Sequence, residues 1–157
     1  MAFQIYIPAD LAFHDYINIC QCAAALAPNV IIDYSNVVPA WGEMSFTADA
    51  FVEEWLGSNR LGVKALATQH MLGMPYFQSV TANEILVEWQ QLASHARKVV
   101  GEDFANPMCK VSETSDGRSW MQQKFVKVDG QWRIAVIRPE VIYHTGNFKQ
   151  VGRPDDP

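Results

Sequence analysis

Two stretches of the chain carry apolar residues at helical spacing, and most of the remainder alternates apolar with polar. Asp10 is placed to cap a helix over Leu11 to Ala27, whose stripe is Ala12, Tyr16, Ile19, Ala23 and Leu26, with Pro28 as its stop. Asp15 falls inside that stripe, where a carboxylate facing inward needs a partner. The β-branched run from Asn29 to Tyr34 predicts a short strand. Thr47 opens a second predicted helix over Ala48 to Leu56, with Phe51, Val52 and Trp55 facing inward and Gly57 ending it.

Strand signals dominate from there on. Ala67 to Met74 reads as a strand. Ile85 to Lys98 alternates, with Ile85, Val87, Trp89 and Ala93 on one face and Glu88, Gln90 and Ser94 on the other. The runs Ser119 to Val128 and Gln131 to Ile137 flank Asp129-Gly130, a dipeptide that favours a type I′ hairpin turn. Ser119, Met121 and Phe125 share one face of their strand. Helices followed by an antiparallel meander predict an α+β fold, a curved mixed or antiparallel sheet wrapped around helices into a cone with an apolar pocket. The whole of 1–157 reads as one domain, with a loose tail over 152–157.

Composition narrows the function classes. The chain has 157 residues, 49% of them hydrophobic, which argues against disorder. Its net charge of −5 and lack of a Lys/Arg cluster argue against a nucleic-acid surface. No apolar run has membrane-spanning length, and Met1-Ala2-Phe3-Gln4 shows no secretory signal pattern. Cys20, Cys22 and Cys109 fit reduced thiols in a cytoplasmic protein. Four scattered histidines without C-x-x-C or H-x-x-x-H spacing give a metal little to bind, so neither metal nor cofactor is expected.

Two of those histidines sit within strand patterns: His70 in Ala67-Thr68-Gln69-His70, and His95 in Ser94-His95-Ala96. A lone buried histidine is most simply a hydrogen-bonded core residue. Two converging imidazoles, each titrating near neutrality, could instead run an elimination or isomerisation. By its neighbours, Asp33 faces away from Tyr34 toward solvent or a structural pair, and His144 reads as a surface residue.

Ala27-Pro28, Ile32-Asp33-Tyr34, Thr68-Gln69-His70, His95, Val128-Asp129-Gly130-Gln131-Trp132 and Arg138-Pro139 occur in an order and spacing that resembles scytalone dehydratase. The chain is thereby also similar to the wider NTF2-like and SnoaL-like superfamily. The resemblance runs from about Phe13 to Val151. It implies a cofactor-free dehydration, with tyrosines polarising a carbonyl through a water and two histidines moving the proton. It makes His70 and His95 the acid/base pair, Asp15 the support of His95, Tyr34 a carbonyl-polarising phenol, and Ser119 the hydrogen-bond partner of His70. An Asp15 carboxylate beside His95 would favour the protonated imidazole. Substrate contacts fall by the same resemblance on His14, Met121, Trp89, Phe125, Ile137, Pro139, Val141 and Phe148. A homo-oligomer is implied too, a trimer by resemblance or a dimer.

Two positions depart from the family pattern. His14 stands where a second tyrosine is expected, and Met121 where an asparagine is expected. A thioether cannot replace an amide as a substrate contact, so a more apolar ligand than scytalone is expected. Three functions stay open. The first is a dehydratase acting on a polyketide- or terpenoid-like intermediate of fungal secondary metabolism. The second is an isomerase or cyclase, including a pericyclase that works through orientation. The third is a non-catalytic binding or assembly module.

Overall fold

A computed structural model of the chain describes residues 26–57, 60–106 and 108–154. Its elements, in chain order, are β1 (Leu26–Asp33), β2 (Glu43–Thr47), α1 (Ala48–Leu56), β3 (Leu66–Leu72), β4 (Tyr76–Val80), β5 (Glu84–Lys98), β6 (Val111–Val128), β7 (Gln131–Gly146) and α2 (Phe148–Val151). The strands form one seven-stranded sheet in the order β2-β1-β7-β6-β5-β3, with β4 pairing with β5 off that path. Since β1 runs antiparallel to β2 but parallel to β7, the sheet is mixed. The α+β class read from the sequence is the one observed.

Local chemistry accounts for most boundaries. Asp129 and Gly130 both adopt positive φ, at 50° and 77°, which is what a type I′ turn between β6 and β7 requires. Both strands run beyond their expected outer ends, to Val111 and to Gly146. The first helix lies largely outside the described residues, but its expected last two residues do not. Leu26 and Ala27 are in β1, as is Pro28. Proline has no N–H to give a ladder, and it is tolerated because the register of β1 against β7 shifts between Leu26 and Ile31. The second helix has the expected bounds. Phe51 and Trp55, one turn apart, stack at 6.0 Å, whereas Val52 is 48% exposed and does not face inward as expected.

Packing divides the chain into two compact units. Among the described residues, one comprises 26–48 together with Leu72–Gln90 and Trp120–Glu140. Its core is the inward set of alternating strands: Phe77, Ile85, Val87, Trp89, Met121, Phe125, Trp132 and Ile134. The other comprises the described residues of Asp49–Met71, of Gln91–Ser119 and of 141–154. Its apolar cluster is small: Val63, Ala65, Leu66 and Val151, with Leu61 and Phe104 against it.

In that second unit a buried cation holds the C-terminal end of the chain. Arg97, fully buried, donates to the carbonyls of Val151 (3.3 Å), Arg153 (2.6 Å) and Pro154 (3.1 Å). A buried guanidinium needs such partners for its N–H groups. Asn147 caps α2 by accepting from the Gln150 N–H at 3.3 Å. Together these fix where α2 begins, and so where Phe148 stands.

Candidate active site

The second unit brings both strand histidines together. On β3, Thr68 and His70 are two residues apart and share a face; on β5, Gln91 and His95 are four apart and share a face. The two strands are sheet neighbours. His70 Nε2 lies 3.4 Å from His95 Nε2, with the rings edge to face at 85° and their centroids 5.2 Å apart. His95 Nδ1 is 2.7 Å from Thr68 Oγ1. Phe148 closes the other side of His95, its ring centroid 4.8 Å away at 68°. His95 is buried and gripped on three sides, whereas His70 keeps an exposed flank.

A glutamine completes the constellation. The Gln91 amide nitrogen is 3.5 Å from His70 Nδ1, and its oxygen accepts from Ser119 Oγ at 2.9 Å. Ser119 was expected to bond His70, and the structure gives its hydroxyl to Gln91 instead. Farther along the same strands, Ser94 donates to Asp116 at 2.5 Å, and His144 Nε2 lies 2.8 Å from the buried Ser115 Oγ.

Burial dominates the electrostatics. It pushes the His95 pKa down to about 4, helped by His70 and His144 and opposed by Asp116. The same desolvation lowers His70. Both imidazoles are therefore neutral at pH 7. This is opposite to the direction expected from a carboxylate beside His95; Asp15, the residue expected there, lies outside the described residues, as does His14.

A family model described as scytalone dehydratase matches residues 10–156. The chain belongs to the scytalone dehydratase family. It is 45% identical to a protein of Aspergillus candidus named dehydratase cfoI, over 99% of this chain and 98% of that one. Its fold resembles that of a hexachlorocyclohexane dehydrochlorinase of the LinA type, with TM-score 0.56 and 13% identity over 90% of this chain and 88% of the other. It also resembles a Nostoc punctiforme protein with a cystatin-like fold, with TM-score 0.52 and 13% identity over 83% of this chain and 93% of the other. The chain is an enzyme of the dehydratase type, a lyase.

The remaining residues that the scytalone dehydratase resemblance singles out lie mostly in the first unit. Tyr34 directly follows β1, its ring 5.7 Å from Trp41, and burial raises its pKa, so the phenol stays a neutral donor. Trp89, Met121 and Phe125 are buried in the apolar cluster, with Ile137 against it. Pro139 is buried and Val141 exposed. Asp33 pairs with Arg138 at 2.7 Å and accepts from the Ser35 hydroxyl; the Ser35 bonds lead in holding its carboxyl below the usual range, so it is a structural pair. A polar groove of about 200 Å³ in this unit is lined by Asn36, Glu88, Trp120, Gln122, Arg138 and Glu140, none of them an expected site residue.

No group of three or more His, Cys, Asp or Glu side chains among the described residues is placed to hold a metal ion. None of the helices described is long and apolar enough to cross a membrane. Sequence reasoning missed Gln91 as a site residue and took Thr68 only as part of a motif. Strand period could have found both, since each shares a face with a site histidine.

Proposed function

We propose that the chain removes water from a polyketide- or terpenoid-like hydroxy-carbonyl intermediate of fungal secondary metabolism, with His70 and His95 as a cofactor-free acid/base pair. The observation that carries this reading is the 3.4 Å approach of His70 Nε2 to His95 Nε2. Both rings are neutral near pH 7, and a hydrogen bond between the two Nε2 atoms needs a hydrogen on one and a lone pair on the other. A proton acceptor and a hydrogen-bond donor thus stand side by side, which is what loss of a β-hydroxyl needs.

The lone-pair nitrogen takes the proton from the carbon next to the carbonyl. The C–H electrons form the new C=C bond as the C–O bond breaks, and the other imidazole donates a hydrogen bond to the departing oxygen. The imidazolium then returns its proton to that oxygen, so water leaves and the enzyme is unchanged. Burial keeps the His95 imidazole unprotonated at pH 7, so its lone pair is available to accept the proton. By the resemblance, a methionine where the family has an asparagine argues for a less polar substrate than scytalone. By resemblance the enzyme works as a homo-oligomer, a trimer.

Incubation with a panel of cyclic and aryl β-hydroxy ketones, followed by mass spectrometry, tests the reading. A product lighter by one water is expected. A product of unchanged mass would assign isomerase or cyclase chemistry instead, and the absence of any conversion or thermal shift across the panel would favour a binding module.

A further inference from the structure

The site contains a continuous hydrogen-bond chain with more members than the reaction uses. It runs from Ser119 through Gln91, His70 and His95 to Thr68. The end links are short, at 2.9 Å for Ser119 to Gln91 and 2.7 Å for His95 to Thr68. The two links made by His70 are longer, at 3.5 Å to Gln91 and 3.4 Å to His95. The loose 3.4 Å link between the imidazoles lets each Nε2 exchange its partner for substrate.

Such a chain has a direction. The Ser119 hydroxyl donates to Gln91 Oε1, which turns the Gln91 Nε2–H group toward His70 Nδ1. A nitrogen that accepts a hydrogen bond carries no hydrogen, so His70 must be protonated on Nε2. Its Nε2–H then points at His95 Nε2, which must hold the lone pair. The His95 hydrogen is left on Nδ1, facing Thr68 Oγ1. One amide thereby sets the tautomer of two imidazoles, the second at one remove.

We propose that Gln91 is a positioning residue that makes His70 the hydrogen-bond donor and His95 the base. This deepens the proposed elimination and rests on it: His70 Nε2–H attends the departing hydroxyl, and His95 Nε2 takes the carbon-bound proton. No motif of the sequence marks Gln91. It is placed by strand register, on the face of β5 that carries His95.

The test reads tautomers directly and needs no substrate. Long-range proton–nitrogen NMR of the full-length protein labelled on histidine nitrogen distinguishes protonated from bare ring nitrogens. Wild type is expected to show His70 protonated on Nε2 and His95 on Nδ1. In Gln91→Glu a carboxylate can only accept, so His70 should move its hydrogen to Nδ1 or become doubly protonated. Gln91→Leu should leave His70 a mixture of tautomers. A wild-type His70 protonated on Nδ1, or a His70 pattern unchanged in both variants, overturns the proposal. Because the readout is independent of turnover, the two ideas can fail separately. Expected tautomers with a fully active His70→Ala variant would sink the elimination and leave only the control of the tautomers by Gln91 standing.

Discussion

Thr68 Oγ1 stands 2.7 Å from His95 Nδ1, and this contact decides which face of the His95 ring is left for chemistry. With Nδ1 occupied by a hydroxyl, only Nε2 is available on the side of His70. Thr68→Val keeps the shape of the side chain and removes the oxygen. A net hydrogen bond is worth about 1 kcal/mol, so kcat/KM is expected to fall roughly fivefold. Thr68→Ser should recover most of that loss. Equal rates for Val and wild type would show that the hydroxyl does not hold the ring.

The depressed pKa of His95 makes stability depend on pH in a defined direction. Its pKa is about 4 in the folded protein against the ordinary 6.5. Above pH 6.5 neither state is protonated at this residue and it contributes no pH dependence. Between those values the unfolded chain binds a proton that the folded chain refuses, so folding weakens as pH falls. The full effect is about 3 kcal/mol, reached near pH 4. Urea unfolding from pH 7 down to pH 4 should show wild type losing about that much more than His95→Gln. Parallel curves would contradict the burial argument.

Much of this was legible in the sequence, and what was not has physical reasons. The alternation of Ile85, Val87 and Trp89 located β5 and its buried face, and Asp129-Gly130 located the hairpin by its need for two positive φ angles. β2 and β4 went unrecognised. At five residues each, they are too short for alternation to stand out. Pro28 suggested a stop after a helix, yet lies in a strand because an irregular register spares its missing N–H. At the site, His70 and His95 were expected to act together. Strand spacing puts Gln91 on the face of His95, but its contacts with His70 and Ser119 are side-chain geometry that spacing alone does not give.

Gly146 and Gly130 share a backbone conformation but should differ sharply when mutated. Both have positive φ, at 76° and 77°. A Cβ on Gly130 meets nothing within 4 Å, so Gly130→Ala should cost about 1 kcal/mol from the left-handed conformation alone. A Cβ on Gly146 falls 2.1 Å from the Thr114 carbonyl oxygen. Gly146→Ala should therefore cost roughly 4 kcal/mol or more, and disturb the approach to α2 and Phe148. Thermal unfolding of the two variants checks this, and similar midpoints would count against it.

Arg97→Met removes three hydrogen bonds to the carbonyls of Val151, Arg153 and Pro154 while keeping an apolar stem. A loss of about 3 kcal/mol is expected, with earlier proteolysis of the chain after α2. If limited proteolysis leaves that end as resistant as in wild type, the guanidinium is not its anchor.

The pairing of His70 with His95 is tested most directly by a double-mutant cycle on whichever hydroxy ketone the wild type dehydrates, with near-UV circular dichroism confirming the fold of each variant. His70→Ala and His95→Ala should each lower kcat/KM by about 10²–10⁴. Residues that act as one unit lose little more when both are removed, so the double variant should fall within a few-fold of the poorer single one. Full activity in either single variant, or losses that simply multiply in the double, would contradict a working acid/base pair.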